Sequence, residues 1–394
     1  MLKVEGFTAS AVSADIRGKG DGRLDLGLIF MDGESTMAAA VFTRNAVVAP
    51  PVELCRERIG KGTARAVLVN SGNANCMTLY GGWEDALRLS ERTADLLGIP
   101  DECVLPCSTG VIGQRLPVDR MEEALEPLVA SLSSDGLESF SRAILTTDTV
   151  TKVAVEEVVL KKGKVRVAGI AKGAGMIAPD MATMLGFILT DAEVSRYDLS
   201  LVLADAVADT FNSITIDGDM STNDTVILMA SGKGPAVKRS DDLEVFGKAV
   251  HSVCASLADM IVADGEGATK MVTFRVTGAL DNEEAKKAAR AIAESLLVKT
   301  ALAAADPNWG RIAAAAGYSG ARVIMAGFSL SIGGVRVLEN GQVVPGYEEA
   351  DAVKVMQKDR YEIEVGIGTG PGTAVMKTCD LTEEYVRINC EYRS

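Results

Sequence analysis

The apolar run Met184, Leu185, Phe187, Ile188 and Leu189 ends at Thr190-Asp191, the length and content of a short buried strand. It follows "KGAGMIAPDMA", where Gly173, Gly175 and Pro179 mark irregular backbone. Thr183 therefore stands at the mouth of an element, where a side chain can face a cavity. Elsewhere strands and helices alternate without an internal repeat. "ARAVLVNSGNAN" reads as a strand from Ala66 to Val69 running into a polar loop. "GWEDALRLSERTADLLGIP" reads as a helix with Trp83, Ala86, Leu87, Ala94 and Leu97 on one face, stopped by Gly98. "TKVAVEEVVLKKGKVRVAGIA" alternates as a hairpin turning at Lys161–Lys164, and Arg196 to Thr210 reads as a helix.

A boundary is expected near residue 280. "MVTFRVTGA" alternates as a strand, after which Asp281 and Glu284 have capping-box spacing. Ala285, Ala288, Ala289, Ile292 and Leu296 then form the apolar stripe of a helix. The expectation is a larger unit over 1–280 and a smaller α/β domain over 281–394.

Composition narrows the classes. With 47% hydrophobic and 24% charged residues in 394, the chain is an ordinary globular one. A formal net charge of -14 argues against a nucleic-acid partner. Seven cysteines without a CxxC pair suggest reduced thiols in the cytoplasm, and no metal site. No run reads as a bilayer span, and "MLKVEGFTAS" lacks the apolar core of a signal peptide. His251 is the single histidine, in a segment with helical spacing. Serine and cysteine mechanisms that need a histidine base are correspondingly disfavoured.

Several motifs tempt and then fail. The glycines of "VGIGTGPGTAVMKTCDLT" lie between two strand-like segments, so a glycine-rich hairpin is expected in place of a dinucleotide site, and no cofactor is implied. "IDGDMSTND" gathers Asp217, Asp219, Asn223 and Asp224 but lacks the glycine and terminal acid of a calcium loop; solvated or loop-stabilising roles are expected. "VADGEGATK" sets Glu266 between glycines, as a turn or a close approach to a ligand. "PCSTGVIGQRLP" offers Ser108, Thr109 and Gly110 as donors or as a plain turn, and "ADPNWGRIAAAAGYSG" reads as a structural polar cluster.

Thr183 has two readings. A plain strand start is the more ordinary one. The other is a nucleophile: a threonine freed at a new N-terminus carries its own base, an α-amine of pKa near ~8. That requires the Ala182–Thr183 bond to be cut.

The segment "KGAGMIAPDMATML" resembles the self-cleavage segment of the ornithine acetyltransferase (glutamate N-acetyltransferase) family of arginine biosynthesis. "VFTRNAVVAPPV", "NSGNAN", "STGVIG", "TTDT", "FNSITIDGDMSTND", "DGEG", "DPNWGRI", "TCDLTEEYVRIN" and "EYRS" are similar to that family in its usual order. "NANCMT" and the Thr151 of "TDTVTK" depart from it, away from the proposed catalytic groups. The resemblance implies a layered α/β sandwich with a central pair of sheets, as in the self-cleaving aminopeptidases. It implies cleavage between Ala182 and Thr183 into an α chain of 1–182 and a β chain of 183–394, assembled as an α2β2 heterotetramer. It implies an enzyme that moves acetyl from N-acetylornithine to glutamate through Thr183, and leaves acetyl-CoA open as a second donor. Thr109 and Gly110 would form the oxyanion hole. Thr146 or Thr147, Lys172, Thr183, Glu266, Asn389 and Ser394 would line the substrate site. A self-cleaving hydrolase of the same fold is the rival reading, since fold does not fix function.

If Thr183 is the self-cleaving residue, intact mass measurement of purified protein shows two fragments, the second beginning at Thr183. Thr183→Ala stays one chain and is inactive. Active wild-type enzyme found as one uncut chain would sink the claim.

Overall fold

The computed structural model describes residues 2–33, 36–60, 64–178, 184–238 and 240–391. Its strands in chain order begin with β1 (Phe7–Val12), β2 (Leu26–Met31), β3 (Met37–Phe42), β4 (Ala66–Asn73) and β5 (Val104–Val111). They continue with β6 (Lys152–Leu160), β7 (Gly163–Lys172), β8 (Leu185–Thr190), β9 (Ile214–Thr215) and β10 (Thr225–Ala230). The remainder are β11 (Met271–Ala279), β12 (Phe328–Ile332), β13 (Val335–Glu339), β14 (Gln342–Val343), β15 (Arg360–Ile367) and β16 (Gly372–Cys379). The helices of the first part are α1 (Pro50–Ile59), α2 (Leu79–Leu97), α3 (Val118–Ala130), α4 (Leu137–Ala143), α5 (Arg196–Asp209) and α6 (Ser240–Ala263). The second part has α7 (Asn282–Glu294), α8 (Leu296–Ala303), α9 (Trp309–Tyr318), α10 (Glu349–Met356) and α11 (Glu383–Glu391).

Among the described residues the strands form three sheets, ordered β1-β2-β4-β5, β3-β10-β8-β7-β6 and β14-β13-β12-β15-β11-β16-β9. Period-2 alternation explains how the first two stack. On β8, Leu185, Phe187 and Leu189 pack toward the first sheet, while Ile188 packs toward α5 and α6. On β4, Val67 and Val69 face the second sheet, while Ala66 and Leu68 pack under α2 and α3. Helices therefore cover both outer faces of a central pair of sheets, the layered α/β sandwich expected. The third sheet, with α7 against β11 and β16, has a buried core of its own. That sheet reaches back across residue 280: β11 lies between β15 and β16, and β9 closes its edge.

Local chemistry accounts for several element ends. Gly98 takes φ 67° and caps α2 by donating to Ala94 and Asp95 carbonyls. The buried face of α2 differs from the expected stripe: Leu89, Ser90 and Thr93 are buried with Ala86 and Ala94. Ser90 and Thr93 tolerate burial because their hydroxyls donate to the carbonyls one turn back, at 2.7 Å each. Asp281 caps α7 through the Glu284 N–H, but Glu284 turns away to accept from the Arg322 N–H at 2.8 Å, so the box is not reciprocal. Leu296 is exposed and opens α8 after the Ser295 cap.

The glycine-rich hairpin is not formed. β15 and β16 both pair with β11, which is inserted between them. The connecting glycines serve close packing: a Cβ on Gly278, at φ +73°, would fall 2.3 Å from the Gly368 oxygen. α6 is long and apolar enough by composition to cross a bilayer, contrary to the sequence reading. Here Phe246, Val250, Val253, Leu257 and Ile261 are buried in the core against the second sheet.

Phe187 is fully buried between the sheets and meets the Phe140 ring edge-on at 5.3 Å. Phe187→Ala should destabilise the protein by about 3–5 kcal/mol. Urea unfolding should show a lower midpoint at unchanged slope. An unchanged midpoint would mean that the layers are held elsewhere.

Candidate active site

A cavity of about 210 Å³ opens where the two central sheets end together, and α11 forms part of its wall. Strand ends leave backbone groups without ladder partners, and side chains supply them. Asn70 Nδ2 donates to the Asn73 carbonyl at 2.8 Å, and Asn73 Oδ1 accepts from the Asn75 N–H at 2.8 Å. Asn223, just before β10, donates to the carbonyls of Ala74 and Ser108 at 2.6 and 3.0 Å, tying one sheet to the other. Beside this tie, β5 delivers Thr109 and Gly110 to the cavity. Gly110 has φ +132°, and a Cβ there would lie 2.3 Å from the Gly72 carbonyl carbon. The chain bends there as only glycine allows.

Lys172 ends β7 and enters the cavity almost fully buried. Its Nζ donates to Thr146 Oγ1 at 2.8 Å and to Thr109 Oγ1 at 3.2 Å. Because the ammonium donates to each hydroxyl oxygen, each hydroxyl keeps its own proton for a ligand. Burial pushes the Lys172 pKa down, and the Asp148 carboxylate works against that shift. Burial raises Asp148 in turn, but Lys172, Lys152 and the Gly173 N–H more than offset it and hold its pKa at about 2.

The opposite wall is acidic. Glu266 accepts from Asn389 Nδ2 of α11 at 2.7 Å, while its N–H donates to the Ala174 carbonyl at 2.8 Å. Its flanking glycine matters: Gly267 has φ +69°, and a Cβ there would fall 2.5 Å from the Tyr385 nitrogen, so α11 can dock this close. Asp217 accepts from the Met176 and Ile177 N–H groups at 2.6 and 2.8 Å, holding the glycine-rich loop against the cavity. Burial raises the pKa of Asp217, and raises that of Asp224 well above the ordinary carboxylate value.

Thr109, Gly110, Thr146, Thr147, Lys172, Glu266 and Asn389 thus line one cavity, although 280 positions separate the first from the last. Met184, which follows the candidate nucleophile in sequence, lines it too. Ala182, Thr183 and Ser394 lie outside the described residues. Sequence reasoning missed Asp217, Asp224 and Tyr385 as cavity residues. Loop-stabilising or solvated roles are expected of the acidic stretch; Asp217 does stabilise a loop, while Asp224 is buried. For Asp217 and Asp224 the signal was the density of hydrogen-bonding residues just before a wholly buried strand. "DPNWGRI" is structural: Asn308 donates to Asp306, and Arg311 to the Leu297 carbonyl at 2.7 Å. His251 is exposed on α6 and does not line the cavity. Among the described residues no acid, histidine and cysteine cluster has the makings of a metal site.

The ArgJ family sequence model matches residues 8–394. The arginine biosynthesis bifunctional protein ArgJ of Chlorobaculum tepidum is 46% identical, over 99% of this chain and 96% of that protein. The glutamate N-acetyltransferase of Methanococcus maripaludis is 44% identical, over 99% of this chain and 98% of that protein. The crystal structure of a Bacillus halodurans ArgJ chain is similar at 42% identity and a TM-score of 0.51, covering 53% of this chain and all of that one. With a cavity at the end of paired sheets and relatives matched along nearly their whole length, this chain belongs to the ArgJ family.

Proposed function

We propose that the chain is an acyltransferase that carries acetyl from N2-acetyl-L-ornithine to L-glutamate through an ester on Thr183. One observation supports this reading most. Thr109 and Gly110 meet Lys172 and Glu266 in a cavity walled by Met184, the residue after Thr183. The cavity holds donors for an oxyanion, a cation for a carboxylate and an anion for an ammonium. N-acetylornithine and glutamate share an α-carboxylate, for which Lys172 is the partner, and ornithine adds a δ-ammonium, for which Glu266 is.

In this reading cleavage at Ala182–Thr183 frees an α-amine, which takes the Thr183 hydroxyl proton in the absence of a histidine base. The hydroxyl oxygen attacks the acetyl carbonyl. The Thr109 hydroxyl and Gly110 N–H bear the negative charge of the tetrahedral intermediate. Ornithine leaves with the proton on its amine, and the glutamate amine then attacks the ester and regenerates Thr183. Further parts of the reading are an α2β2 assembly of the two chains and a place in the cytoplasm. Relatives with the bifunctional and with the single-activity name stand at similar identity, so acetyl-CoA is to be tried as a second donor.

Incubation with N-acetylornithine alone should add one acetyl mass to the 183–394 fragment, and glutamate should remove it. Steady-state data should give parallel double-reciprocal lines. Thr109→Val should lower kcat about 100-fold with a smaller change in KM. Intersecting lines with no trapped acetyl fragment would favour direct transfer. Rapid acetate release without glutamate would favour a hydrolase.

A further inference from the structure

Behind Lys172 lies a second lysine that no ligand in the cavity can reach. Lys152, on β6, is fully buried, with Nζ 2.7 Å from Asp148 Oδ1 and 2.5 Å from Asp264 Oδ2. The Asp148 side chain is also completely enclosed. Its Oδ1 accepts from the Gly173 N–H at 2.6 Å and its Oδ2 from the Thr146 N–H at 3.0 Å. One carboxylate thus grips the residue after Lys172 and the backbone of the threonine whose hydroxyl Lys172 meets. Asp264, just past α6, accepts from the Thr149 N–H at 3.1 Å and fixes the far side of the same loop. Two lysines and two aspartates share this core, so their formal charges cancel.

We propose that Asp148, held in place by Lys152 and Asp264, is a positioning residue that keeps Lys172 protonated and its Thr146 hydroxyl aimed into the cavity. The proposal rests on the reading of Lys172 as partner of the substrate carboxylate. A lysine buried without an anion loses its charge, and a neutral amine pairs weakly with a carboxylate. Asp148, Lys152, Asp224 and Glu266 act on the Lys172 charge, and Asp217 and Asp219 line the same cavity. Burial biases Asp224 toward its neutral form. Glu266 is shared with Asn389. Asp148 remains as the fixed anion. Lys152 opposes it at Lys172 but secures it by direct contact, and Asp264 prevents Lys152 from overbalancing the pair.

The two sides of this balance give opposite signs. Asp148→Asn removes the anion at constant shape and should lower the Lys172 pKa by about one unit or more. The pair Lys152→Met with Asp264→Asn removes a cation facing Lys172 together with the carboxylate that balances it, leaves Asp148 to the Gly173 and Thr146 N–H groups and to Lys172, and should raise the Lys172 pKa. Competitive labelling of the cleaved, assembled enzyme with acetic anhydride, read by mass spectrometry across pH, reports the Lys172 midpoint without need of activity. The alkaline limb of kcat/KM should move with it, downward in the first variant and upward in the second. Midpoints that stay put, or that move the same way in both variants, overturn the proposal, since loosened packing has no such antisymmetry. If Asp148→Asn does not fold, an upward shift in the double variant supports it and no shift overturns it. Antisymmetric midpoints in an enzyme that transfers no acetyl would leave this balance standing and remove the acetyltransfer reading.

Discussion

Two stacked sheets that end together present a row of backbone groups with no further strand to pair with, and something must satisfy them. Much of the polar chemistry of this molecule is the answer to that demand. Asn70, Asn73 and Asn223 close the ends of β4, β5 and β10. Asp217 takes the N–H groups of the glycine-rich loop, and Asp148 those beside Lys172 and at Thr146. Polar side chains recruited for backbone satisfaction are thereby concentrated at one end of an otherwise apolar sandwich. To these the cavity adds Thr109, Gly110 and a lysine among acids.

Those acids carry a cost that the arrangement has to meet. Burying a cation or carboxylate is unfavourable unless it is paired and hydrogen-bonded. Lys152 illustrates the structural solution, enclosed by two carboxylates with no solvent contact. Lys172 is arranged differently, with hydroxyls as its immediate neighbours and Asp148 acting on its charge. A direct ion pair would have occupied the lysine; hydroxyl neighbours leave it available to an incoming anion.

How much of this the sequence discloses depends on how local the cause is. The α2 stop at Gly98, the β6–β7 hairpin and the buried run of β8 follow from neighbouring residues, and the structure has all three. The Leu296 stripe position and the reciprocal box at α7 fail because a new helix and Arg322 intervene. The supposed hairpin of β15 and β16 fails for a deeper reason: β11 enters between them from far back in the chain, and no local pattern encodes that insertion. The site divides similarly. Thr109, Lys172 and Glu266 were legible through a resemblance carried by many motifs. Asp148 lay inside one of those motifs, yet its task depends on Lys152 and Asp264, partners that only the folded chain brings to it.

The docking of α11 beside Gly267 has a consequence for biosynthesis. Glu266 obtains Asn389, and Asp217 obtains the Tyr385 hydroxyl, from a helix that begins at residue 383. Domains fold as the chain emerges from the ribosome, N-terminal parts first. The stacked sheets can therefore form on a nascent chain while the cavity still lacks a wall. A chain truncated before residue 383 would leave Glu266 without Asn389 and Asp217 without the Tyr385 hydroxyl.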